Sequence, residues 1–331
     1  MKDKITIIAE AGGNHNGSIK KAYKLVDIAK KAGADYVKFQ TFKAETLVSK
    51  NAPKARYQKK NVKKISHFQM IKKLEMSYEM HVKIIKYCKK KNIKFLSSPF
   101  CIDSFNLLNK FKLDFIKIPS GEITNLPLLR HISKFSNNII LSTGMAKLNE
   151  ISDAIKILKN KKRQIILLHC NTEYPTPFDD INLKAMLFLK KYFKLNVGYS
   201  DHSLGVQVPI IAASLGAKVI EKHFTISKKM KGPDHVASLN PKELISMVKL
   251  IRSTETILGK SEKLVSKSEK KNILIARKSL FAARDIKKGE KFSLNNLICL
   301  RPGSGISPMK IDKVCRLKAK KKFFKGELIE I

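Results

Sequence analysis

Short apolar runs recur along the chain, and each gives way to a stretch in which apolar residues return every third or fourth position. The runs lie at 5–10 (ITIIAE), 36–40 (YVKFQ), 94–99 (KFLSSP), 115–120 (FIKIPS), 138–144 (NIILSTG), 165–170 (IILLHC), 196–202 (NVGYSDH) and 218–224 (KVIEKHF). Leu25, Ile28 and Ala29 mark an amphipathic helix over 18–32, and Ile151, Ala154, Ile155 and Leu158 mark another over 147–160. Strand alternating with helix predicts a parallel sheet. Eight such units in about 255 residues match the size of a (β/α)8 TIM barrel. A doubly wound open sheet is the alternative, but no GxGxxG follows the first run.

The pattern breaks in two places. Segment 41–77 is too long for a plain connection and reads as an active-site loop rich in Lys and Gln. Residues 258–272 (LGKSEKLVSKSEKKN) are polar, charged and Ser-rich, and read as a linker. A barrel over 1–257 and a small unit over 273–331, with short strands and turns at 287–290 and 301–305, are therefore expected.

Composition narrows the classes. No apolar run approaches a bilayer-spanning length, and the basic N-terminal stretch meets Glu10 too soon to be a signal peptide. Five scattered cysteines, never in CxxC spacing, fit a reducing cytoplasm. The net charge of +40 raises the question of nucleic acid. Of 67 basic residues only 8 are Arg, and the lysines spread over every helical segment. Nucleic-acid readers lean on Arg for bidentate contacts, so this charge reads as solvated surface. Neither nucleic acid nor membrane is expected as a partner, although the field favours an anionic substrate.

In a (β/α)8 barrel the chemistry sits at the C-terminal strand ends. Here those ends carry Glu10, Lys38, Gln40, Ser97, Ser98, Lys117, Ser120, Glu122, Ser142 and Thr143, then His169, Asn171, Ser200, Asp201, His202, Glu221 and His223. The triplet Glu221-Lys222-His223 reads as facing the mouth of the barrel. Lys38 in VKF and Lys117 in IKI stand where a solvated lysine does not belong, and buried cations need anions. A substrate phosphate or carboxylate would supply them; pairing with Glu10 or Glu122, or a Schiff-base role, are the alternatives. His202 and His223 end adjacent strands, where two imidazoles can share one divalent ion in an open site.

Ordered motifs add a resemblance. AEAGGNHNG (9–17), VKFQTF (37–42), KIPSGE (117–122), STGM (142–145), HCNTEYPTP (169–177), SDHS (200–203), EKHF (221–224) and GPDH (232–235) resemble the sialic acid synthase family. ARKSLFAARDIKKGE and RPGSGISP resemble its C-terminal antifreeze-like, or SAF, β-clip domain. The likeness covers nearly the whole chain. It implies a transferase that condenses phosphoenolpyruvate with the open-chain aldehyde of an N-acylated mannosamine-type sugar, releasing phosphate. N-acetylmannosamine, giving N-acetylneuraminate, is the first expectation. A 2,4-diacetamido-2,4,6-trideoxymannose, giving N,N′-diacetyllegionaminate, is the second.

The resemblance also implies roles. Lys38 and Lys117, with Ser98, Ser120, Ser142 and Ser200, would hold phosphoenolpyruvate. His202 and His223 would hold Mn2+, Mg2+ or Co2+. Glu10 and Glu221 would orient water or move protons. Asp234 would stand near the sugar hydroxyls as a catalytic and binding group, with Gln40 and Tyr174 as further sugar contacts. The small domain would cap the barrel of a partner chain in a domain-swapped homodimer, bringing Arg301 to the partner's sugar. Two departures stand out. Asn171-Thr172 replaces the Thr-Asn of one branch, so that asparagine's contact is expected from Asn171 or not at all. Val314-Cys315-Arg316 replaces a Leu-Gly-Lys turn, so an irregular turn is expected there.

Overall fold

The structure is a computed structural model that describes residues 4–62, 64–160 and 162–331. The chain divides into two compact units, Met1–Gly259 and Lys260–Ile331.

All eight apolar runs form strands: β1 (Thr6–Gly12), β2 (Tyr36–Thr41), β3 (Lys94–Pro99), β4 (Phe115–Ile118), β5 (Asn138–Ser142), β6 (Ile165–Cys170), β7 (Asn196–Asp201) and β8 (Val219–His223). They pair in parallel in the order β3-β2-β1-β8-β7-β6-β5-β4, and β3 and β4 meet at the seam, so the barrel is nearly closed. Helices return the chain between strands. Ile19–Ala32 starts on the Ser18 hydroxyl, which accepts from Lys21 N, and ends at Gly33 with φ 82°. Pro241–Ile257 starts on a capping box of Asn240 and Glu243.

Side chains alternate across each strand, and this sorts the sequence into two layers. Ile8, Tyr36, Leu96, Ile140, Ile166, Leu168 and Val219 fill the inside of the barrel. Their neighbours, such as Ile7, Ala9, Val37, Phe39, Ile116, Ile139, Leu167, Val197 and Ile220, pack outward in the main core beneath the helices. Gly198 belongs to the inner parity, and a Cβ there would lie 2.2 Å from Val219 O and 2.7 Å from Leu168 Cδ2. Only glycine lets β7 and β8 approach so closely at that level.

In the second unit, β9 (Ser279–Ala282) pairs antiparallel with β10 (Leu297–Leu300). A small core of Leu280, Ile286, Phe292, Leu297, Val314, Phe323 and Ile329 holds it together. Two expectations change here. The stretch read as linker carries a helix, Lys267–Ala276, started by a capping box of Ser266 and Glu269. None of its residues is buried, which is why its composition looked like a linker. The turn at Val314-Cys315-Arg316 is regular: Val314 is buried, and Leu317 N donates to its carbonyl at 2.9 Å.

Candidate active site

The inner parity that holds the barrel together turns polar one layer higher. Glu10, Lys38, Gln40, Ser98, Lys117, Ser142, Cys170, Ser200, Glu221 and His223 line a cavity of about 250 Å3 at the C-terminal ends of the strands. Backbone register puts them on neighbouring levels of the inner face, since Glu10 pairs with Lys38 and His223, Gln40 with Ser98, and Ser200 with Glu221. His202, Ser120, Tyr174 and Asp234 complete the wall from the loops. Segment 41–77 contributes Leu47, Tyr57, Gln58, Met70 and Leu74 to the same cavity.

The floor is a cluster of four buried charges. Lys38 Nζ lies 3.0 Å from Glu10 Oε2 and 3.6 Å from Glu221 Oε2, and Lys117 Nζ lies 3.4 Å from Glu221 Oε1. Pairing with carboxylates, the alternative raised for the lysines, is thus realised for Lys38 on Glu10. The partner of Lys117 is Glu221 and not Glu122, which instead accepts from Asn125 Nδ2 at 2.6 Å. Further bonds fix the floor. Lys38 Nζ donates to Ser98 Oγ at 3.2 Å, Gln40 Nε2 to Glu10 Oε1 at 3.2 Å, and Ser200 Oγ to Glu221 Oε1 at 2.9 Å. Burial holds Glu10 above the usual carboxylate range against the pull of Lys38. Burial also works on Glu221, but Lys117, Lys38 and the Ser200 hydroxyl outweigh it and hold that carboxyl low. Burial lowers Lys117, which Glu221 only partly offsets.

The imidazoles stand opposite. The His202 and His223 ring centroids are 5.5 Å apart, and Tyr174 stacks on His202 at 4.1 Å. Asn171 O accepts from His202 Nδ1, which leaves Nε2 to accept from the Tyr174 hydroxyl at 2.9 Å. Burial pushes His202 down to about 4 and His223 well below its usual value, the second helped by His202 itself. Burial pushes the Asp234 carboxyl up to about 6.

Among the described residues lining the cavity, four buried atoms lack hydrogen-bond partners: Glu10 Oε2 and Glu221 Oε2, which face Lys38 as ion pairs, and His223 Nδ1 and Ser142 Oγ, which face no opposite charge. Native proteins rarely leave such atoms unpaired, so the wall is shaped for something it does not itself supply. A divalent cation fits the imidazoles. One ring nitrogen is orphaned, and the other ring has its tautomer fixed by a backbone carbonyl, as metal-ligating histidines usually do. Among the described residues no group of three or more His, Cys, Asp or Glu side chains gathers to hold a metal. The fit is therefore to an open site of two protein ligands.

Comparison with known proteins decides the lineage. Residues 25–263 match the NeuB family, and residues 277–330 match the SAF domain. The chain belongs to the NeuB family. It is 53% identical over 330 residues to N,N′-diacetyllegionaminic acid synthase of Campylobacter jejuni, covering 98% of this chain and 99% of that one. It is 46% identical over 314 residues to the protein of the same name from Legionella pneumophila, covering 93% and 88%. The N-acetylneuraminic acid (sialic acid) synthetase of Leptospira borgpetersenii, solved in complex with citrate, superposes with a TM-score of 0.74 at 34% identity, over 82% of this chain and 90% of that one.

Within this NeuB-family barrel, some strand-end residues leave the mouth. Ser97 and Thr41 bond each other at 2.7 Å and reach His81 on the outer helix Tyr78–Lys91. His169 Nε2 bonds Ile181 O at 2.9 Å, and Thr143 Oγ1 donates to Leu168 O at 3.0 Å. Lys222 does not face the mouth either; it is fully buried against Asp201 on the outside of the barrel. Asn171 turns its side chain to Glu173 N, at 2.7 Å, while Thr172 lines the cavity. Tyr57 was not anticipated; it stacks on Tyr174 at 5.0 Å. Arg301 belongs to the SAF unit, where it is exposed and its Nε donates to Ala276 O at 3.0 Å.

Proposed function

We propose that this chain is an N,N′-diacetyllegionaminate synthase. It condenses phosphoenolpyruvate with open-chain 2,4-diacetamido-2,4,6-trideoxymannose and water, and releases phosphate. The observation that carries the choice is 53% identity over nearly the full length of both chains with the C. jejuni legionaminic acid synthase, against 34% with the sialic acid synthetase. N-acetylmannosamine, the first expectation, therefore takes second place.

The chemistry follows from the wall. Lys38 and Lys117 offer ammonium donors not yet spent on Glu10 and Glu221, and the free Ser142 hydroxyl adds another. Together with Ser98, Ser120 and Ser200 they take the phosphate and carboxylate oxygens of phosphoenolpyruvate. The methylene carbon of the enol attacks the sugar aldehyde carbon: the C=C and C=O π bonds break as the C–C bond forms, the aldehyde oxygen takes up a proton to become a hydroxyl, and the former enol carbon is left cationic. Glu10 and Glu221 face the same space; they orient the water that adds to the former enol carbon and take its proton. The resulting tetrahedral centre expels phosphate and becomes the ketone of the product. His202 and His223 would hold the divalent ion, which supplies Lewis-acid polarisation of the aldehyde oxygen. Asp234, Gln40 and Tyr174 hold the sugar. The low exposure of the cavity floor excludes bulk water from competing.

Steady-state kinetics with both sugars test the substrate assignment. The kcat/KM for the diacetamido sugar should exceed that for N-acetylmannosamine by about tenfold or more, the range set by one or two polar substituents in a fitted pocket. Mass spectrometry identifies the product. Equal use of both sugars, or preference for N-acetylmannosamine, removes the legionaminate reading.

The proposal extends to assembly. A swapped homodimer would bring Arg301 to the partner's sugar. Arg301→Ala should then raise the sugar's KM by about tenfold, the worth of one charged hydrogen bond, without changing the oligomer. Mixed dimers of His223→Ala and Arg301→Ala chains should regain one good site per dimer. No recovery in verified mixed dimers argues for capping in cis.

A further inference from the structure

Two fully buried side chains beside the imidazoles take no part in the chemistry above. Asp201 closes β7 and Lys222 precedes His223 on β8, and both are enclosed on the outer face of the barrel. Lys222 Nζ donates to Asp201 Oδ2 and to Ser203 O. Asp201 Oδ1 accepts from Ser203 N at 3.0 Å. These contacts converge on residues 201–203, that is, on both sides of His202.

The backbone explains why a clamp is needed there. The β7–β8 register runs through Tyr199 with Ile220, Ser200 with Glu221 and Asp201 with Lys222, and stops. His202 lies one residue past that last pair. Its carbonyl is tied to the loop, accepting from Thr176 N at 3.0 Å. Because side chains alternate, each inward imidazole follows an outward member of the ion pair: Asp201 before His202, Lys222 before His223. The ion pair thus continues the strand-to-strand tie where the ladder has ended. A buried ion pair adds little stability over an apolar pair of the same size, so its contribution here is geometric.

We infer that Asp201 and Lys222 are positioning residues that fix the spacing of His202 and His223 for a divalent cation. This rests on the metal reading proposed above. The test uses the full chain and Mn2+ as the probe, with binding read by electron paramagnetic resonance in the absence of substrates. The variant Asp201→Asn/Lys222→Met is neutral, so it strands no buried charge. Its Mn2+ Kd should rise about ten- to a hundredfold, as for other groups that orient metal ligands. Its melting temperature should stay near that of the parent, and saturating Mn2+ should restore turnover. If it does not fold, Asp201→Asn/Lys222→Leu, which keeps an acceptor for Ser203 N and likewise leaves no buried charge alone, gives the same reading. Parental Mn2+ affinity in a folded variant overturns the inference, and so does lost turnover that excess Mn2+ does not restore. A parental chain that binds no Mn2+ overturns the metal reading itself, a result seen before any variant is made.

Discussion

Alanine in place of His223 is expected to lower turnover by about three orders of magnitude while the barrel stays folded. A Lewis acid on a carbonyl oxygen contributes several kcal/mol, and each 1.4 kcal/mol is about tenfold in rate. The fold should survive because His223 faces the cavity, and its Nδ1 bonds nothing in the protein. Removing it therefore breaks no hydrogen-bonded network at that atom. His202→Ala should match it in turnover but also release the Tyr174 hydroxyl and Asn171 O, which His202 now engages. Chelation of the parental protein should reproduce the loss, and added Mn2+ should reverse it in the parent but not in His223→Ala. A chelated enzyme that keeps its rate would falsify the two-histidine assignment, since nothing else proposed for these rings explains a metal-independent loss.

What the sequence disclosed and what it hid follow from how each feature is encoded. The eight strands were legible because each is a local apolar run, and a parallel sheet follows from their alternation with helices. The charged floor was legible for the same reason: Lys38 and Lys117 interrupt runs that are otherwise apolar. Side-chain direction was encoded too, but in the period of two. Counting back from Glu221 to Val219 puts Lys222 on the outer face, and counting from Ser200 does the same for Asp201. Reading the strand ends as uniformly mouth-facing missed this, and with it the ion pair. Tyr57 was illegible for a different reason. It sits on the short helix Arg56–Asn61 in a segment with no strand register, so only the folded loop brings it to Tyr174. The helix Lys267–Ala276 lay between the two cases. Its composition is that of a linker, yet Ser266 and Glu269 spell a capping box that outweighs composition locally.

The buried charges on the floor decide what Lys117 is for. With two lysines set against two glutamates, the floor is formally balanced before any substrate arrives. A trianionic substrate entering such a site needs donors more than it needs net charge, and Lys117 holds Glu221 only loosely, at 3.4 Å. Burial already depresses this lysine, so its ammonium gains most when a second anion comes within reach. Lys117→Met keeps the length and most of the packing volume while removing those donors. Its kcat/KM for phosphoenolpyruvate should fall by about a hundredfold or more, the worth of about 3 kcal/mol for a buried charge-assisted contact. The sugar's KM should change far less, because Gln40, Tyr174 and Asp234 lie on other elements. Some stability should be lost, because the floor is left with one buried carboxylate in excess, but Glu221 keeps Lys38 at 3.6 Å and the Ser200 hydroxyl, so the barrel should stay folded. If phosphoenolpyruvate kinetics stay at the parental values and the melting temperature drops instead, Lys117 serves the barrel through Glu221, and the anion site rests on Lys38 and the serines.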